Sequence, residues 1–165
     1  MQRIALPALE TAATLLLGLM SGFFFAFAID VAPAMSHLDA AGYISTQQWI
    51  NKVVRNAGFG AAYFGATVLA FAAAAAALMA RQRRRAIAWA AIALIYAAAV
   101  FWVTRSVNVP INNALALWNP QSPPADWIEA RDVWNQSNLL RSIAAALCFA
   151  AALVCTRSAA ASRPA

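Results

Sequence analysis

The sequence predicts an all-α integral membrane protein folded as a four-helix bundle, on three observations. Of its 165 residues 63% are hydrophobic and 11% charged, where a soluble domain sits near ~45–50% apolar and ~25% charged. Uncharged runs of bilayer-spanning length recur along the chain. The basic residues gather in the short segments that join or flank those runs on one side.

A helix needs about 20 mostly apolar residues to cross a bilayer. Thr11 to Ile29 is uncharged for 19 residues, Asn56 to Ala80 for 25 and Ala86 to Thr104 for 19. The fourth run, Ser142 to Thr156, has 15 and reaches spanning length by starting near Asn138 and tolerating Arg141 at its end. The spans are expected at 11–32, 56–80, 86–106 and 137–156, with outer segments 33–55 and 107–136. The first run has a second reading as a signal peptide, since Arg3 precedes it and Ala26-Phe27-Ala28 resembles a cleavage site. Pro7, Glu10 and its length oppose this, because a signal core is only ~7–15 residues.

Arg81, Arg83, Arg84 and Arg85 lie between the second and third runs, Arg157 and Arg163 follow the fourth, and Arg3 precedes the first. An even number of crossings puts all seven on one side, which the positive-inside rule assigns to the cytoplasm together with both termini. The other side carries five basic residues and, counting Asp30 at its edge, five of the six acids. Topology thus accounts for the net charge of +6, and no nucleic-acid partner is expected. Eleven Arg to one Lys and the high Ala content suggest a bacterial inner membrane. Cys148 and Cys155 fall about 10 Å apart along a helix, too far for a disulfide.

Small residues form stripes at Gly18, Gly22 and Ala26 and at Ala61 and Gly65, as in helices that pack closely within lipid. Tyr43 to Arg55 has helical spacing and is expected to rise above the membrane and run into the second crossing. Asn108 to Pro124, with four prolines, reads as loop. Pro123 and Pro124 then start a helix, with Asp126, Glu129 and Asp132 near its positive end. A helix from 125 to 156 would be about 48 Å long against a bilayer core of about 30 Å. Helices 2 and 4 are therefore expected to extend on the outer side.

Polar residues at membrane depth are costly and mark bundle interiors or wet cavities. They collect at one level: Asp30 and His37 after the first run, Asn56 before the second, Arg105, Asn108, Asn112 and Asn113 after the third, Asn138 and Arg141 before the fourth. The inner halves show almost none. A polar pocket at the outer mouth follows. On the fourth helix Arg131, Trp134, Asn138 and Arg141 share one face. Arg offers a rigid fork for an anionic oxygen and Trp a flat surface for a ring, which suits a phenolate, enolate, quinone or lipid headgroup. The plainer alternative pairs Arg141 or Arg105 with Asp30 and Arg131 with Asp39, with the tryptophans as an interfacial belt.

Asp30 and His37 are the candidate bases and Arg141 the candidate oxyanion holder. Arg105, Asn108, Asn112, Arg131, Trp134 and Asn138 are the candidate substrate-binding residues. His37 stands alone without metal-ligand spacing, and Glu-x-x-His pairs of the di-metal kind are missing. With no Walker loop or GxGxxG either, neither a cofactor nor a metal is expected. The expected partners are the lipid bilayer and a small hydrophobic or aromatic ligand.

Four segments carry a resemblance: GLMSGFFFAFAIDVAPAM, QQWINKVVRNAGF, VNVPINNALALWNP and ARDVWNQSNLLRSIAA. Together they resemble the anthrone-oxygenase-like family of small four-helix membrane proteins. The matched positions are Pro33, Asn108, Pro110, Asn112, Arg131, Trp134, Asn138 and Arg141. For some fungal members the resemblance implies oxidation of an anthrone to an anthraquinone with molecular oxygen, without an evident metal or flavin. The alternative is a non-catalytic membrane protein that binds a quinone, lipid or other hydrophobic molecule. A transporter would want polar groups and broken helices at mid-membrane, where this chain has Ala, Leu and Phe.

Overall fold

The computed structural model describes residues 2–161, with side chains over 6–157. The side chain of Arg3 and all of Arg163, counted above toward the inner side, lie outside these. The chain is built as an integral membrane protein. Four helical stretches, Leu6–Met35, Ala57–Met79, Arg83–Leu115 and Trp127–Arg157, are long and apolar enough to cross a membrane.

The first stretch is α1 (Gln2–Ala26), a π-helical segment (Phe27–Val31) and α2 (Ala32–Met35) in unbroken succession. After Asp39, α3 (Ala40–Val54) lies over the bundle end, and α4 (Ala57–Met79) makes the second crossing. The third is α5 (Arg83–Tyr96), π-helical segments Ala97–Trp102 and Thr104–Asn108, and α6 (Val109–Leu115). The fourth is α7 (Trp127–Ala161). In cross-section α1 packs on α4 and α7, and α5 packs on the same two.

Two features differ from the sequence reading, both at prolines. The first and third crossings continue past Pro33 and Pro110, and α6 occupies part of the expected loop. Each proline sits in the first turn of its short helix, directly after a π-helical segment. A helix-interior proline clashes with the carbonyl four residues back, and the wider π turn shifts that carbonyl. The second crossing does not run continuously from α3. The chain breaks at Arg55, and Asn56 starts α4 afresh by accepting a hydrogen bond from the Phe59 N–H at 2.9 Å. Asp39 caps α3 likewise, accepting from the Gly42 N–H at 2.7 Å. It is therefore not the partner of Arg131.

The bundle core sets small residues against large ones. Ala66, Ala70, Ala73 and Ala77 form one buried face of α4, and Ala145, Cys148 and Ala152 one of α7. Into these faces fit Trp89 and Tyr96 of α5 and Leu17, Met20 and Phe24 of α1, all nearly inaccessible. Outward apolar residues such as Leu15, Phe64, Val68 and Leu147 form the lipid-facing surface. Gly18 permits a close approach: a Cβ there would stand 2.8 Å from the Phe149 ring. Gly22, of the same stripe, has nothing within 4 Å.

Between α4 and α5 Arg81 adopts a positive φ of 59°. The Gln82 N–H reaches the Ala77 carbonyl and the Arg81 N–H the Leu78 carbonyl, both at 2.9 Å, which is the Schellman closure of a helix end. At that end Glu10 of α1 is buried, pairs with Arg85 and accepts the Trp89 indole N–H at 2.9 Å. The expectation of almost no polar groups in the inner halves is corrected here. Glu10 lies seven residues inside the first crossing's basic flank, and its depth hides behind the partner it finds on α5.

Over the opposite end, α2, α3, α6 and the start of α7 enclose a second core of Met35, Tyr43, Ile44, Leu115 and Trp134. The Gln48 amide donates to the Leu115 and Trp118 carbonyls, both at 2.9 Å, supplying partners that the end of α6 lacks. The Tyr43 ring lies 5.6 Å from that of Trp127, and burial pushes its phenol up to about 12.

Candidate functional site

One face of α7 carries a polar row into the covered end of the bundle. Trp134, Ser137, Asn138, Arg141 and Ser142 are all buried, and each is held by a residue of another crossing or by its own helix. The Trp134 indole N–H donates to Asn112 Oδ1 at 2.8 Å, and its ring lies 5.0 Å from that of Phe27. The Asn108 amide donates to Ser137 Oγ at 2.7 Å and the Trp134 carbonyl at 3.3 Å. Ser142 Oγ donates to the Phe24 carbonyl at 2.9 Å, tying α7 to α1 where the π-helical segment begins.

Arg141 is the centre of the row and is 5% exposed. Its guanidinium donates to Thr104 Oγ1 at 2.9 Å and Asn138 Oδ1 at 2.8 Å. The guanidinium carbon lies 4.8 Å from the centre of the Phe24 ring and 5.6 Å from that of Trp134. Tyr63 and Tyr96 are close enough to interact with its charge. Among the described residues its Nε–H has no partner, and neither has the Tyr96 hydroxyl nor Asn108 Oδ1. Among the described side chains the ion pairs are Arg85–Glu10 and Arg131–Asp132. Arg141 therefore sits among rings and neutral oxygens with no carboxylate against it. A buried charge normally carries a partner, and among the described side chains this one meets only neutral oxygens and rings.

The structure brings together Asn108, Asn112, Trp134, Asn138 and Arg141 of the candidates. It does not bring Asp30, His37 or Arg105 to them. Asp30 and Arg105 are exposed on their π-helical segments, and His37 is exposed on the turn after α2. Among the described side chains Asp30 pairs with neither Arg141 nor Arg105. Arg131 stands about 15 Å up the helix from Arg141. It pairs with Asp132 at 2.8 Å and lies 5.3 Å from the Trp127 ring, so it belongs to the covering layer rather than to the buried row. Thr104, Ser137, Ser142, Tyr63 and Tyr96 were missed. Thr104 is four residues before Asn108, and Ser137 and Ser142 flank the Asn138–Arg141 turn, so helical spacing from the chosen residues would have found these three.

A groove of about 970 Å3 runs between residues 28–36 and 125–139. Ala28, Ala32, Pro33 and Leu139 give it an apolar wall, and Asn138 opens on it. That amide is the link between the groove and Arg141.

These features define a helical membrane protein with a buried, unanswered cation beneath its covered end. The family model described as anthrone oxygenase matches residues 55–154, more than half of the chain, and the chain belongs to that family. The match contains the buried row and all its partners except Phe24 and Phe27. No curated protein and no solved structure matches the chain.

Proposed function

We propose that this protein oxidises a lipophilic phenol or anthrone to a quinone with molecular oxygen, at the covered end of the bundle on the non-cytoplasmic side of a bacterial inner membrane. The observation that carries this reading is Arg141, a buried guanidinium held by neutral oxygens and facing aromatic rings. In an anthrone, loss of one ring-methylene proton gives an enolate. Its carbon adds O2, and the resulting hydroperoxide loses water to leave the second carbonyl. One anthrone and one O2 become one anthraquinone and one water.

The part this chain plays is electrostatic. A preorganised donor placed where negative charge develops is worth about 10²–10³ in rate, and it is stronger in a site without water. Arg141 supplies that donor, with Thr104 and Asn138 fixing its fork. Phe24 and Trp134 supply ring surface beside it. The methylene proton leaves to solvent through the groove on which Asn138 opens and is returned to the peroxide anion, so the balance needs no base from this chain.

The test is oxygen uptake with an anthrone by the purified protein in neutral detergent, measured above the uncatalysed rate. Arg141→Ala is expected to lose about 100-fold of the protein-dependent rate. Full activity in that variant would overturn the reading. Anthrone binding without any protein-dependent uptake would favour a non-catalytic binding protein.

A further inference from the structure

The groove above Asn138 has a charge of its own. Three of the chain's six carboxylates, Asp126, Glu129 and Asp132, line it, and none of the lining residues is Lys, Arg or His. Asp132 is answered by Arg131. Asp126 and Glu129 form no ion pair among the described side chains. Glu129 in the first turn of α7 and Asp126 just before it suit the helix dipole, which explains their presence without any ligand.

Asn138 is not explained that way. It is 2% exposed and opens on the groove. Its Oδ1 is committed to Arg141, while its Nδ2 makes no hydrogen bond to a described residue. That donor faces the groove and is placed to meet an acceptor oxygen arriving through it. The groove thus has a donor at its deep end, an apolar wall and two free carboxylates at its rim.

We infer that the groove takes a flat lipophilic molecule with its ring oxygen inward at Asn138 and a protonated amine substituent outward against Asp126 and Glu129. This deepens the oxygenase reading by naming the substrate class as amine-bearing phenols or anthrones, and it rests on that reading only for the identity of the ring. The volume falls within the ~300–1,000 Å3 of small-molecule sites. The same rim repels carboxylate-bearing analogues, so that charge sorts ligands before any chemistry begins.

Three unreactive probes share one ring and differ in charge: 2-(aminomethyl)anthraquinone, 2-methylanthraquinone and anthraquinone-2-carboxylate. Their affinities are measured by equilibrium dialysis against the full-length protein in neutral detergent at low salt, with empty micelles subtracted. The amine is expected to bind at least about tenfold more tightly than the carboxylate, with the neutral compound between them. In the Asp126→Asn/Glu129→Gln double variant, and in the wild type at 0.5 M salt, the gap is expected to close to about threefold or less. Equal affinities in the wild type, a preference that survives in the double variant, or no binding of any probe would each overturn the inference. Oxygen uptake with an unsubstituted anthrone is scored separately: uptake without charge preference leaves the oxygenase reading standing alone, and preference without uptake leaves the binding site alone.

Discussion

Arg141 donates to Asn138 Oδ1 over 2.8 Å from one turn further along the same helix. The pair converts a charge that cannot be seen from outside into an oriented amide at the edge of a groove. Thr104, on the third crossing, holds the other arm of the guanidinium. The cation is thereby fixed by two crossings and neutralised by neither.

That arrangement predicts a separation between stability and function. Replacing a buried ion by a hydrophobic residue of similar size is often neutral or stabilising. Arg141→Met is expected to keep or raise the thermal unfolding temperature in detergent while abolishing oxygen uptake. A loss of more than about 3 kcal/mol, the range for breaking a buried pair, would make Arg141 a structural residue instead.

The opposite end of the bundle predicts the reverse. Glu10 is buried against Arg85 and Trp89, and removing one member of a buried pair strands the other. Arg85 is about one quarter exposed and can turn partly to water, so Glu10→Ala is expected to cost about 2–3 kcal/mol, toward the lower end for such pairs. Removing Arg85 as well should recover part of that loss in a double-mutant cycle followed by thermal unfolding.

Two glycines of one stripe are expected to diverge. A Cβ at Gly18 meets the Phe149 ring, whereas one at Gly22 meets open space. Gly18→Ala is expected to destabilise by about 1–3 kcal/mol through overpacking, and Gly22→Ala to be neutral or slightly stabilising by helix propensity. Parallel melting curves of the two variants decide it, and equal losses would refute the asymmetry.

Tyr43 sets an alkaline limit on the covering layer. Its phenol, normally near 10, is raised to about 12 by burial, with Asp132 adding to the shift and Arg131 opposing it. Between these values the unfolded chain has lost the proton and the folded one has kept it, so this contribution is whole below pH 10 and is lost as pH rises toward 12. Tyr43→Phe is expected to flatten the fall in unfolding temperature across that window. Identical slopes for variant and wild type would exclude the residue as the cause.

The four crossings were legible because bilayer thickness imposes a length that composition alone reveals. The continuations past Pro33 and Pro110 were not, because proline reads as a stop unless the preceding turn is known to widen. The depth of polar residues is legible in the sequence, and their rotation about the helix is not where the turns widen. Asp30 and Arg105 lie on π-helical segments, whose wider turns depart from the step of a regular helix, and both are exposed. Both stand at the right level and face away. Asn138 and Arg141 were found because their spacing with Trp134 places them on one face. Tyr63 and Tyr96 were passed over because an aromatic in an apolar run resembles core until its hydroxyl is seen beside a charge.

A guanidinium left unanswered in the interior makes the empty protein the less comfortable state. Any guest that brings negative charge to it relieves the host as well as itself, so tightness of capture should track how readily the guest gives up its proton. Among rings of one shape, the more acidic would hold the bundle together to higher temperatures.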